Sequence, residues 1–107
     1  MSTWKSIRSQ GDAKAMRQEG RLEAVQLLPV KLGGAPSADN IVLVPPQTRV
    51  AKDAATAELL DIFRAGRADQ LSVVPEYRGD SLVPAALRIE AWREGEAAVY
   101  DRRLVIW

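Results

Sequence analysis

Apolar positions change their spacing partway along this chain, and the change marks its elements. Between Thr48 and Ala65 the residues Ala51, Ala55, Leu59, Ile62 and Phe63 fall on one stripe, with Leu60 at its edge and Asp53, Asp61 and Arg64 opposite. That pattern predicts one main amphipathic helix, with Thr48 as its N-cap and Gly66 as its C′ stop. From Gln70 onward the period is two. Strands are expected over Leu71–Tyr77, with Pro75 marking an edge or bulge, and over Ala86–Arg93, where Leu87, Ile89 and Ala91 alternate with Arg88, Glu90 and Trp92. A last strand is expected over Ala98–Trp107, sending Tyr100, Leu104 and Ile106 to one side and Val105 and Trp107 to the other. A turn at Arg78-Gly79-Asp80 and a tight hairpin at Glu94-Gly95-Glu96 join the three into a meander.

The N-terminal half is less regular. Residues 1–10 read as a loosely ordered arm with Trp4 and Ile7 as anchors. Asp12 is the expected N-cap of a short helix over Ala13–Glu19, closed by Gly20. Arg21 to Leu28 reads as a strand stopped by Pro29. Leu32 to Asn40 is a loop, and Ile41–Val44 is a short strand, apolar on both faces and therefore buried, ended by Pro45 and Pro46. The expected fold is α+β: a small antiparallel sheet, made of the C-terminal three-stranded meander plus the N-terminal strands, packed against one main amphipathic helix. No linker or internal repeat divides residues 1–107, so one domain is expected.

Composition narrows the chemistry more than it names it. The chain has 107 residues, 47% of them hydrophobic and 27% charged, a globular balance at a common domain size. No apolar run approaches the ~20 residues that span a bilayer, and no signal-like apolar segment opens the chain, so a cytoplasmic location without membrane contact is expected. There is no cysteine and no histidine. Thiolate chemistry, a Ser-His-Asp triad, a histidine-dependent nuclease and an ordinary zinc site are thereby excluded within this chain. A net charge of +1 from interleaved charges makes nucleic acid an unlikely partner.

Four groups of residues could still carry function. Gly33-Gly34 could cradle phosphate only if it opened a helix; leading into a loop and a strand, it reads as a turn that needs positive φ. Tyr77-Arg78-Gly79-Asp80-Ser81 contains Arg-Gly-Asp but reads as a turn. Glu76, Asp80, Glu90, Glu94, Glu96 and Asp101 could pair for acid–base work or hold a hard cation, yet they alternate with Arg78, Arg88, Arg93, Arg102 and Arg103 as a charge-matched sheet face does. Trp4, Trp92 and Trp107, with arginines beside them, match either interface hot spots or aromatics packed under a terminal segment.

Gly20-Arg21-Leu22-Glu23-Ala24, Leu32-Gly33-Gly34 and Asn40-Ile41-Val42-Leu43-Val44-Pro45, followed by a helix, Tyr77-Arg78-Gly79 and Leu82-Val83-Pro84, resemble the ordered motifs of the DNA/RNA non-specific endonuclease (ββα-metal) domains of bacterial polymorphic toxins. The resemblance covers about Gly20 to Trp92. It implies that Asn40 matches the asparagine that holds a catalytic divalent metal, Mg2+. The position of the histidine general base is Arg21, and a guanidinium stays protonated and cannot accept that proton. The resemblance therefore implies a nuclease-like shell without its base.

The expectation drawn from these residues is a non-enzymatic module of a bacterial toxin or immunity system that binds a protein partner, or a second copy of itself through the edge strand ending at Trp107. A chain beginning at its own Met1 fits a small free-standing partner. The residues expected to bind are Arg21, Asn40, Tyr77, Arg78, Asp80, Trp92 and Trp107. No cofactor is expected. The alternatives are a divergent nuclease or nucleic-acid binder, with Arg21, Lys31 and Arg49 on phosphate and Mg2+ at Asn40, and an uncharacterised domain in which the Gly-Gly and Asn-x-Val-x-Pro features are turns.

Overall fold

In the computed structural model, which describes residues 3–35 and 37–107, the chain is α+β, with two helices and two small antiparallel sheets. Met1 and Ser2 of the expected arm, and Pro36 of the expected loop, lie outside the described residues. The short helix α1 is Gln10–Gln18, longer toward its N-terminus than the apolar pattern indicated. Its cap is Ser9, extended at φ −131° and ψ 161°, whose hydroxyl accepts the Asp12 N–H at 3.1 Å. Asp12 sits inside the first turn instead of capping it, and its carboxylate accepts the Arg8 N–H. Before α1, Thr3–Ser6 forms a 3₁₀ turn and Ile7 is buried, so this part of the expected loose arm is packed against the body.

The strand β1, Glu23–Gln26, pairs antiparallel with β2, Ile41–Val44, in the register Glu23↔Val44 to Gln26↔Ile41. It is half the expected length, because Leu22 leaves it to pack elsewhere and Leu28 bends away to bond Asn40. These two strands form a ribbon of their own and do not join the meander. The main helix α2 is Pro46–Arg64. It begins two residues before the expected Thr48 cap, because Pro46 at the first helical position has no N–H to leave unsatisfied and already carries helical φ. Ala65 caps its end and Gly66 follows at φ 72°.

The meander is β3 (Gln70–Glu76), β4 (Ala86–Trp92) and β5 (Tyr100–Val105), with β4 in the centre. Pro75 lies in edge strand β3 opposite Leu87, where its missing N–H costs no ladder bond on the open side. Ala51, Ala55, Leu59, Ile62 and Phe63 of α2 pack on Leu71, Val73, Leu87, Ile89, Ala91 and Leu104 of the sheet, together with Leu27, Val42 and Val44 of the ribbon. This is the main core.

A second cluster lies beyond the end of the meander. Ile7, Ala13, Leu22 and Val83 are buried there, with Trp4, Met16, Leu43, Leu82, Ile106 and Trp107 packed around them. The last two residues leave β5 to reach it: the carbonyl of Ala85 accepts the N–H groups of both Ile106 (2.7 Å) and Trp107 (3.1 Å). Among the described residues no helix is long and apolar enough to cross a membrane.

Candidate functional site

The chain leaves β3 at Tyr77 and turns at Gly79, which adopts φ 57° in the left-handed region where a side chain would be strained. Ser81, buried just after the turn, holds this loop against the N-terminal segment. Its hydroxyl donates to the carbonyl of Trp4 and accepts the Val83 N–H at 3.1 Å, while the Leu82 N–H donates to the carbonyl of Ile7 at 2.7 Å. From the other direction the Trp107 indole N–H donates to the carbonyl of Val83 at 3.0 Å. The Arg78 guanidinium then lies over the Trp107 ring, 5.7 Å from its centroid, within cation–π range.

This stitching makes Tyr77 a ridge between two concavities. One, of about 390 Å³, is lined by Glu76, Tyr77, Arg78, Ala85, Arg103, Val105 and Trp107. The other, of about 640 Å³, is lined on one side by Tyr77, Gly79, Asp80 and Leu82 and on the other by Ile41, Leu43, Ala13 and Arg17. Tyr77 is 51% exposed and Val105 68% exposed. Partial burial pushes the Tyr77 phenol above its ordinary pKa, so it stays a neutral hydroxyl that can both donate and accept. Arg103, in the first concavity, is held by both oxygens of Glu76 at 3.0 and 3.2 Å.

Tyr77, Arg78, Asp80 and Trp107 are thus brought to one end of the molecule. Trp92 is not: it sits at the far end of β4, about 20 Å along a strand of seven residues. Arg21 and Asn40 are not together either. Arg21 precedes the Glu23 end of the β1–β2 ribbon and Asn40 precedes its Ile41 end, so the whole ribbon, about 10 Å long, runs between them. The Arg21 guanidinium stacks 5.9 Å from the Trp4 centroid and is 4.0 Å from the carboxylate of Glu19.

The buried amide of Asn40 is a clip. Its Oδ1 accepts the Leu28 N–H at 2.8 Å, and its Nδ2 donates to the carbonyls of Leu28 (2.9 Å) and Ala35 (2.8 Å). The same bend explains the glycine pair. Gly33 adopts φ 96°, and a Cβ on Gly34 would stand 1.8 Å from the carbonyl oxygen of Leu28. Of the six carboxylates around the meander, Glu76, Glu90, Glu96 and Asp101 pair with arginines. Among the described residues no group of three or more acidic side chains is placed to hold a metal ion.

A third concavity, of about 440 Å³, lies between α2 and β1. It holds a residue that the sequence reading passed over. Lys52 is only 5% exposed although it carries a charge, and it forms no hydrogen bond or ion pair with the described residues. Burial lowers its pKa, partly offset by the adjacent Asp53. The signal was present: Lys52 sits one turn after Thr48 and three and seven residues before Ala55 and Leu59, and all four are buried on one stripe of α2.

The chain matches no protein-family model, and no significantly similar curated protein or solved structure is found.

Proposed function

We propose that this chain is a non-enzymatic module that binds a protein partner through the Tyr77 ridge, with Tyr77, Arg78 and Trp107 as its anchors and Asp80 at its rim. The observation that carries this reading is the convergence of exposed Tyr77 and Val105 with an arginine stacked on a tryptophan beside two concavities. Tyrosine, tryptophan and arginine are the residues that concentrate binding energy at interfaces. Both Arg78 and Trp107 are held in place by intramolecular contacts, which lowers the ordering cost on association.

The toxin–immunity setting rests on the sequence resemblance. The binding reading is favoured over the nucleic-acid alternative because Asn40 is engaged in three backbone hydrogen bonds and Arg49 is engaged with Glu23 and Asp53. A second copy of the chain is the alternative partner, favoured by the open edge of β5 beside exposed Val105.

Two measurements test the reading. Affinity capture from the source cell is expected to return a stoichiometric protein that is lost with Tyr77→Ala and Arg78→Ala together and retained with Arg88→Ala. Sedimentation velocity over a wide concentration range then separates self-association from a foreign partner. A monomer that captures nothing above the double variant would overturn the proposal.

A further inference from the structure

The Lys52 concavity has features of a built binding site. Its ammonium is carried on a side chain that is 5% exposed, and no acceptor among the described residues meets it. Burial of the side chain disfavours the charge, and the neighbouring Asp53 offsets only part of that cost. The opposite wall is the open edge of β1. The Leu27 N–H bonds the carbonyl of Asn40, and the alternation of an antiparallel pair then turns Glu23 and Val25 toward β2. Ala24 and Gln26 direct their N–H groups outward, and both residues line the concavity.

The charges set how many negative charges can enter. Arg49 donates to Glu23 and, at 2.8 Å, to Asp53, so these three groups together carry one negative charge. Lys52, attracted to Asp53, brings the four groups to zero, and its ammonium is the one cation of the set without a hydrogen-bonded acceptor. One carboxylate can accept from the Lys52 ammonium, whereas a second negative charge would add only repulsion from Glu23 and Asp53. Val25 and Pro29 give the remainder of the wall an apolar character. A volume of about 440 Å³ lies within the range of small-ligand sites.

We propose that this concavity binds a monocarboxylate with a short aliphatic body, its carboxylate accepting from the Lys52 ammonium and the outward N–H groups of β1, its body lying on Val25 and Pro29. The carboxylate belongs either to a small free acid or to the C-terminus of another chain. The site lies between α2 and β1 and shares no lining residue with the concavity beside Tyr77 and Trp107.

The test is an amide chemical-shift titration of the full chain with butyrate, isovalerate and inorganic phosphate, with butyramide as the neutral control. A dipeptide ending in valine, with its C-terminus free or amidated, distinguishes the two sources. Butyrate and isovalerate are expected to move the Ala24, Gln26 and Thr56 amides while butyramide does not, and Lys52→Met weakens them by at least about tenfold. Tighter binding of the free-ended dipeptide than of butyrate would assign the site to chain termini, and the reverse would assign it to small acids. Equal shifts with butyramide, equal binding of phosphate, or unchanged affinity in Lys52→Met would each overturn the proposal. Should Lys52→Met not fold, the contrast of butyrate with butyramide decides alone.

Discussion

The two hydrophobic clusters are built by different means. The main core joins regular elements: α2 supplies one stripe, the meander one face, and the ribbon alternate residues. The second cluster joins an N-terminal turn, the end of α1, the loop after Tyr77 and the last two residues of the chain. Periodic burial holds the first together. The second is held by individual hydrogen bonds, at Ser81, Leu82 and Trp107, that tie irregular segments to each other. Arg78, stacked on Trp107, lies on the second, beside exposed Tyr77. The regular core is a platform, and the Tyr77 ridge is carried by the part whose geometry depends on a few polar contacts.

That contrast predicts different responses to substitution. The largest effect is expected in the main core, where Leu59 is 1% exposed at the centre of the α2 stripe. Leu59→Ala should cost about 3 kcal/mol in urea unfolding and raise amide exchange throughout the molecule. Asn40→Ala removes three backbone hydrogen bonds from a buried bend and should cost about 2 kcal/mol, with no dependence on added Mg2+. A Mg2+-dependent change in stability that Asn40→Ala abolishes would restore the metal-ligand reading of that residue.

Ser81→Ala is smaller and more telling. It removes one of the two donors to the Trp4 carbonyl, which keeps the Ile7 N–H, and leaves the Val83 N–H without the Ser81 oxygen, and should cost about 1 kcal/mol. Its effect should be local: faster exchange for residues 3–22 and the loop after Tyr77, with β3, β4 and β5 unchanged. Uniform acceleration across both clusters would show them to be one cooperative unit.

These differences also explain what was legible in the sequence. The α+β class, the α2 stripe and the three meander strands follow from periods of 3.6 and 2, because burial there repeats along the chain. Leu22 and Val83 have no periodic neighbours, and their burial is decided by segments far away in sequence. The caps shifted for local reasons: Ser9 outcompeted Asp12, and Pro46 opened α2 ahead of Thr48. The Tyr77-Arg78 and Trp107 residues were visible as types, but their meeting depends on the Ala85 carbonyl turning the tail. Asn40 read as a binding residue, with a metal ligand and a turn residue as the alternatives, and its three backbone hydrogen bonds depend on a bend that no local pattern announces. Lys52 does not belong to the apolar stripe by type, although its spacing from Thr48, Ala55 and Leu59 places it among the buried residues of α2.

Lys52 adds the smallest expected effect, and its sign depends on pH. Its folded pKa lies below the unfolded value of about 10.4, so between the two the unfolded chain binds more protons and stability rises with pH. The penalty is complete below the folded pKa and absent above the unfolded one. Lys52→Met should therefore melt higher than the parent near neutral pH, with the advantage shrinking as pH approaches that of a free lysine. A gain that is constant with pH would contradict the burial account.

The most direct test of the central claim places a photo-activated cross-linking side chain at position 77 in one protein and at position 88 in another. Position 88 lies on the outer face of the meander, where Arg88 pairs with Glu90 and Asp101. Both proteins are irradiated in extract from the source cell. A discrete covalent adduct from position 77 and none from position 88 is the predicted result. An adduct from position 88 alone would move the binding surface to the regular sheet and contradict the assignment of function to the loop-built cluster.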